Sequence, residues 1–181
     1  MQEEIVVKAP TTEALTPAQI TQKAEDLGVT KTEMSFGRSF ALSIMAGAFI
    51  AMFFSLVVGD PALPFAIQRV LGGFLFCLGL ILVVVAGAEL FTGNTMIVMT
   101  AASKRIKWSA VWKNWIVVFF GNFLGALVIV GLVFLSDMSA MNGGQVGQTM
   151  VSVAAGKMHA DWLVLFAKGI MCNFLVCLGV W

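Results

Sequence analysis

Apolar residues along this chain fall into four long runs, at about 37–58, 65–102, 115–135 and 162–181, separated by shorter segments that hold most of the charge. A helix rises ~1.5 Å per residue and the hydrocarbon core of a bilayer is ~30 Å thick, so about 20 apolar residues make one crossing. The first, third and fourth runs fit that length. The second does not. From Leu71 to Ala102 it has no charge other than Glu89, and as one straight helix those residues would measure roughly 48 Å. No loop within it is long enough to turn the chain round. One span in two pieces remains, with irregular backbone near residues 88–94, inside Ala86-Gly87-Ala88-Glu89-Leu90-Phe91-Thr92-Gly93-Asn94-Thr95. Lipid tolerates such backbone only where it faces protein or a watery cavity, which points at a pore.

The flanking segments carry their own signals. Residues 1–34 form a polar N-terminal segment, with a disordered start and then a compact helix. In that helix Thr16 caps, Pro17 takes the first position, Gln19 completes a capping box and Gly28 stands near the C-terminus. Ile20, Ala24 and Leu27 share one face, as in an amphipathic helix lying at the membrane surface. Gly59-Asp60-Pro61-Ala62-Leu63-Pro64 is a turn rich in helix breakers between the first two spans. After the second span come Lys104, Arg105, Lys107 and Lys113 with no acid among them, so this connection and the N-terminus are cytoplasmic, with Trp108, Trp112 and Trp115 at the interface. Gly121 and Gly125 in the third span let helices approach closely. Residues 136–160 read as a polar loop on the outside, and residues 35–181 as a transmembrane domain.

Composition narrows the class. Hydrophobic residues make up 59% and charged residues 12%, against about 25% charged in soluble domains, so this is an all-α integral membrane protein whose partner is the lipid bilayer. Six of the ten acids precede residue 34, and a basic cap followed by a short apolar core, the mark of a signal peptide, is not seen there. Net charge of +1 gives no reason to expect a nucleic acid partner. Cys77, Cys172 and Cys177 lie inside apolar spans and read as packing residues, not a metal or disulfide site. A single histidine, His159, argues against a haem-anchoring subunit, so no enzyme activity and no cofactor are expected. The Asn-Pro-Ala tripeptide expected of a neutral-solute channel built on half-helices does not occur.

Several motifs, in order and spacing, are similar to those of a known family. They are Gly87-Ala88-Glu89-Leu90-Phe91-Thr92-Gly93-Asn94; Lys113-Asn114-Trp115 with Phe120-Gly121-Asn122-Phe123-Leu124-Gly125-Ala126; and Gly169-Ile170-Met171-Cys172-Asn173-Phe174-Leu175-Val176-Cys177-Leu178. With Gly72-Gly73 and the apolar Leu78 to Val85, the chain resembles the formate/nitrite transporter family of bacterial anion channels over nearly all of residues 13–181. The resemblance implies an aquaporin-like bundle of six spans in two inverted repeats, with a broken second and fifth span, and five subunits each with its own pore. Four of those six spans are present here. The family's pore histidine belongs to the fifth, and His159 is no substitute.

The resemblance further implies a bacterial plasma-membrane channel for small monovalent anions of weak acids, formate first and nitrite second, passive or proton-coupled. Alternatives are a hydrosulfide or other short-acid channel of the same family, or an incomplete, non-conducting assembly fragment. By resemblance, Phe76, Leu80, Leu90, Phe91 and Val176 line apolar constrictions, Asn173 faces the substrate chamber and Lys157 the outer vestibule. A half-helix starting near Thr95 would aim its N–H groups at mid-membrane, with the Thr92 hydroxyl close by, suiting a small anion. Glu89, a charge deep in the bilayer, is read as a brace accepting from loop amides rather than as a proton carrier.

Overall fold

The computed structural model describes residues 15–56 and 64–181. The tail at 1–14 and most of the 59–64 turn lie outside the described residues. Among those described every element is helical: α1 (Pro17–Glu33), α2 (Phe36–Leu56), α3 (Phe65–Val85), α4 (Phe91–Asn94), α5 (Ile97–Ala102), α6 (Trp108–Leu135), a 3-10 turn (Met138–Ala140), α7 (Gln145–Met158) and α8 (Trp162–Val180). Four of them, α2, α3, α6 and α8, are long and apolar enough to cross a membrane.

Helix α1 begins as the capping box dictates: the Gln19 amide donates to Thr16 Oγ1 at 3.4 Å, and the Thr16 amide donates to Gln19 Oε1 at 2.8 Å. It does not end at Gly28. It continues to Glu33 because Gly28 has a packing role, buried against Thr100 where a Cβ would overlap the threonine hydroxyl. The helix therefore does more than lie along a surface, since it docks on α5.

The end of α3 has a local cause. Gly87 takes φ +62°, its amide donates to Val84 O at 3.2 Å, and the Ala88 amide donates to Val83 O at 2.9 Å. These two bonds form a Schellman motif, and its left-handed position is one that glycine occupies without a Cβ penalty. The chain then runs extended through Leu90 (φ −102°, ψ 128°), re-enters a helical turn at Phe91 and tightens through Thr95–Met96, which keep right-handed helical dihedrals, before α5. The half-helix expected to start near Thr95 starts instead at Phe91, where the Asn94 amide donates to Leu90 O at 2.9 Å, and Thr95 Oγ1 donates to Thr92 O at 2.7 Å where the two short pieces join.

Helix α2 packs along both α6 and α3, and α4 sits between α6 and α8. Close approach of α2 and α6 rests on glycines: a Cβ on Gly125 would overlap the Ile44 carbonyl, and one on Gly47 the Asn122 carbonyl. Small apolar clusters flank the break, with Ala46, Val83 and Ala88 on one side and Ile97, Ala101 and Val111 on the other. The segment 136–160 is mostly ordered helix, not loop. Helix α8 has no buried residue, and Phe166, Ile170, Phe174 and Leu178 are all exposed.

Candidate functional site

Among the described residues, the buried polar side chains are Ser39, Ser43, Glu89, Asn94, Thr100 and Asn114. Three of them, Glu89, Asn94 and Asn114, meet at the break. Glu89 is 2% exposed, and its carboxylate is partnered on both oxygens. Lys31 Nζ donates to Oε1 at 2.7 Å, and Asn94 Nδ2 donates to Oε2 at 2.6 Å. Lys31 Nζ also donates to Asn94 Oδ1 at 2.9 Å, Asn94 Nδ2 to Asn114 Oδ1 at 2.9 Å, and Trp115 Nε1 to Asn94 O at 3.0 Å. The partners of Glu89 are thus side chains from α1 and α4 rather than loop amides. A charge inside a bilayer protein is costly unless paired and hydrogen-bonded, and this one is both.

On the other face of the loop stands Asn122. Its Nδ2 donates to Ser43 O at 2.7 Å and Glu89 O at 2.8 Å, and its Oδ1 accepts from the Phe91 amide at 2.8 Å. The Glu89 amide donates to Leu42 O at 3.2 Å. Backbone that leaves helical geometry inside a membrane needs substitute partners, and α2 and α6 supply them here.

The connection after α5 is tied to α1 as well. Arg105 Nη2 donates to Asp26 Oδ1 at 2.6 Å, Arg105 Nη1 to Glu25 Oε2 at 3.4 Å, and Thr100 Oγ1 to Glu25 O at 3.4 Å. The guanidinium hydrogen bond holds the Asp26 carboxyl below its ordinary pKa and the same bond raises Arg105.

The α8 side is built differently. Cys177 Sγ lies 3.4 Å from Thr95 Oγ1 and 3.9 Å from Thr92 O, and Leu80 lies beside Gly179, so α8 turns the face carrying residues 173, 176 and 177 toward α4 and α3. These three are the partly buried positions of the helix. Among the described residues, Asn173 Oδ1 has no hydrogen-bond partner although it is buried.

The residues singled out by sequence therefore separate. Leu90 packs on the Ala46, Val83 and Ala88 cluster. Thr92, Leu80, Asn173 and Val176 belong to the contact zone of α4, α3 and α8. The Phe91 ring meets Trp115 and Phe119 of α6 edge-on, at 6.0 and 5.6 Å. Phe76 is 39% exposed on α3, and Lys157 is exposed in the last turn of α7. Trp115, expected at the interface, is turned inward by its bond to Asn94, while Trp108 and Trp112 are exposed.

Lys31, Asn94, Asn114 and Asn122 went unassigned in the sequence, although signals for them exist. Ala24, Gly28 and Lys31 follow i, i+4, i+7 spacing on one face of α1, and Asn114 lies on the buried α6 stripe Val111, Asn114, Val118, Gly121, Gly125.

The site thus lies in a membrane-crossing helical bundle whose second span is interrupted by braced, extended backbone. A family model described as Formate/nitrite transporter matches residues 18–181, and the chain belongs to the formate/nitrite transporter family. It is 40% identical over 171 residues to the Formate channel FocA of Escherichia coli (strain K12), covering 92% of this chain and 60% of that protein. Against the Formate channel BtFdhC of Bacillus thuringiensis it is 35% identical, covering 91% of this chain and 65% of the relative. A solved structure described as a pentameric formate channel with formate bound superposes with a TM-score of 0.74 at 40% identity, covering 81% of this chain and 59% of that one. An FNT family ion channel superposes with a TM-score of 0.81 at 27% identity, covering 91% and 67%. The chain spans about 60% of the length of the FocA relative it matches.

Proposed function

We propose that this chain contributes the broken-span half of a channel for small monovalent anions of weak acids, formate first and nitrite second, working with or without a coupled proton. The carrying observation is the interruption at residues 86–96, held by the Lys31 side chain of α1, the Asn122 side chain of α6 and the Leu42 carbonyl of α2. The formate channels among its relatives support this substrate class.

In this reading the anion passes between the break and α8. Leu80, Leu90 and Val176, with Phe91 at the α6 edge and Phe76 farther along α3, form apolar constrictions that strip hydration from a bare anion, at a cost of several kcal/mol. The neutral acid, or an anion partly neutralised by a proton donor, crosses more easily. Thr92 and Asn173 offer a hydroxyl and an amide to a carboxylate or nitrite oxygen, and Lys157 raises the anion concentration at the outer mouth. Glu89 acts as the brace of the loop. The N-terminal helix faces the cytoplasm of a bacterial cell, and the working assembly is a homopentamer whose exposed α3, α6 and α8 faces meet lipid or neighbouring subunits.

The test is reconstitution into liposomes. An inward formate gradient is expected to drive flux and internal pH change above empty vesicles, with nitrite also transported. Vesicles showing neither formate- nor nitrite-dependent flux would remove the channel reading.

A further inference from the structure

Asn122 lies between two glycines of a packing stripe, and the simplest reading of such a residue is a helix contact. Its bonds say otherwise. All three go to main-chain atoms, and two of them bracket one residue: Glu89 O before Leu90 and the Phe91 amide after it, each at 2.8 Å. An N–H given to the carbonyl of residue i−1 and a C=O accepting from the amide of residue i+1 is what one residue of a neighbouring strand does in a parallel ladder. The Asn122 amide thus does for Leu90 what a strand would do, and Leu90 accordingly has extended dihedrals in the middle of a helical span.

How the amide gets there follows from the packing. Gly47 admits the Asn122 backbone so closely that a Cβ would overlap the carbonyl oxygen, and Gly121 and Gly125 draw the same stretch of α6 onto Ser43 and Ile44. At that separation the side chain reaches past α2, donating to Ser43 O at 2.7 Å on the way to the loop. Both donor hydrogens and the acceptor are therefore used, which fixes the amide orientation: a flipped amide would set its oxygen against two carbonyls and its NH2 against an N–H.

We propose that Asn122 is a positioning residue for transport: it holds Leu90 extended, and so sets the width of the constriction that Leu90 forms, without itself touching the anion. The inference rests on the channel reading above and adds to it the element that fixes pore geometry. Asparagine is the side chain of the right size with both a donor pair and an acceptor. Aspartate at this site, when ionised, offers only acceptors to two carbonyls, and leucine offers neither.

The experiment compares the reconstituted wild-type assembly with Asn122→Asp, Asn122→Leu and, acting from α2, Gly47→Ala. Formate flux, the ratio of formate to acetate flux, and oligomer size in mild detergent are measured for each. The expected result is a normal oligomer, formate flux reduced about ten-fold or more, and a changed formate-to-acetate ratio in all three variants. Wild-type flux and an unchanged ratio in properly assembled variants would overturn the proposal. For variants that do not assemble, amide hydrogen exchange in the wild type decides: the Phe91 amide is expected to be protected like the interior of α3, and exchange at the rate of free chain would overturn it. Absence of flux in the wild type itself would strike the channel reading instead, leaving the exchange result to judge Asn122 alone.

Discussion

Helices α6 and α8 each present asparagine to the break, and the two sides are finished differently. On the α6 side the side-chain bonds of Asn114 and Asn122 are directed at protein: Asn114 to Asn94 and to Lys31 O, Asn122 to Ser43, Glu89 and Phe91. On the α8 side Asn173 keeps a buried carbonyl oxygen with no partner among the described residues, on a helix that buries none of its residues. Mean hydropathy does not separate them, being 2.6 for α6 and 2.1 for α8. What separates them is contact. α6 lies along the glycine seam of α2, where its polar groups have been matched to backbone, while α8 packs chiefly on α4 and reaches Leu80 of α3. A fully matched asparagine is a structural joint. An asparagine whose oxygen stays unmatched is free to bond a ligand or a neighbouring chain, since a buried polar group left bare is costly.

That contrast can be broken most severely at Glu89. Glu89→Ala removes the acceptor of a paired charge and leaves Lys31 Nζ and Asn94 Nδ2 short of a partner, with an expected loss of about 2–3 kcal/mol. The figure is set below that of a fully buried pair because Lys31 is a quarter exposed. Thermal unfolding in detergent measures it, and an unchanged transition would mean the brace is dispensable. Asn173→Ala sharpens the same contrast from the other side. With no bond to Oδ1 to lose, stability should stay within about 0.5 kcal/mol of wild type, while formate flux falls about ten-fold. A drop in stability as large as that of Glu89→Ala would make α8 a second frame.

The smallest effect concerns the clasp between α1 and the connection after α5. Asp26 has its pKa depressed by the Arg105 hydrogen bond, so its contribution is present above the ordinary value of 3.8 and is lost as pH falls below it. Both groups are exposed, and the clasp is screened by solvent. A spin label at Ala18, an exposed position in the first turn of α1, should gain mobility as pH falls below 3.8. In Arg105→Gln the label should already be mobile at pH 7. Equal, pH-independent mobility in the two proteins would show that Lys31 and Gly28 hold α1 unaided.

Much of this was legible along the chain. The four spans follow from apolar length, the break from a run too long for one crossing, and the start of α1 from a capping box whose partners lie three residues apart. The end of α3 at Gly87 is equally local, a matter of one left-handed residue. Glu89 announced itself as a lone charge in an apolar run.

Other features were decided only when the chain folded. The structure chose Lys31 as the partner of Glu89, 58 positions away, and Asn122 as the support of Leu90, from 31 and 33 positions beyond the groups it binds. It turned Trp115 inward and Phe91 toward α6, and left Asn173 incomplete. The physical reason is the same throughout. Hydropathy and turn chemistry are properties of neighbours in sequence, so they determine where this chain crosses the bilayer and where it breaks. Whether a polar side chain inside the bilayer becomes a joint or a binding group depends on which distant groups come within about 3 Å of it, and that was set by the close helix contacts at Gly28 of α1 and at the glycines of α2 and α6.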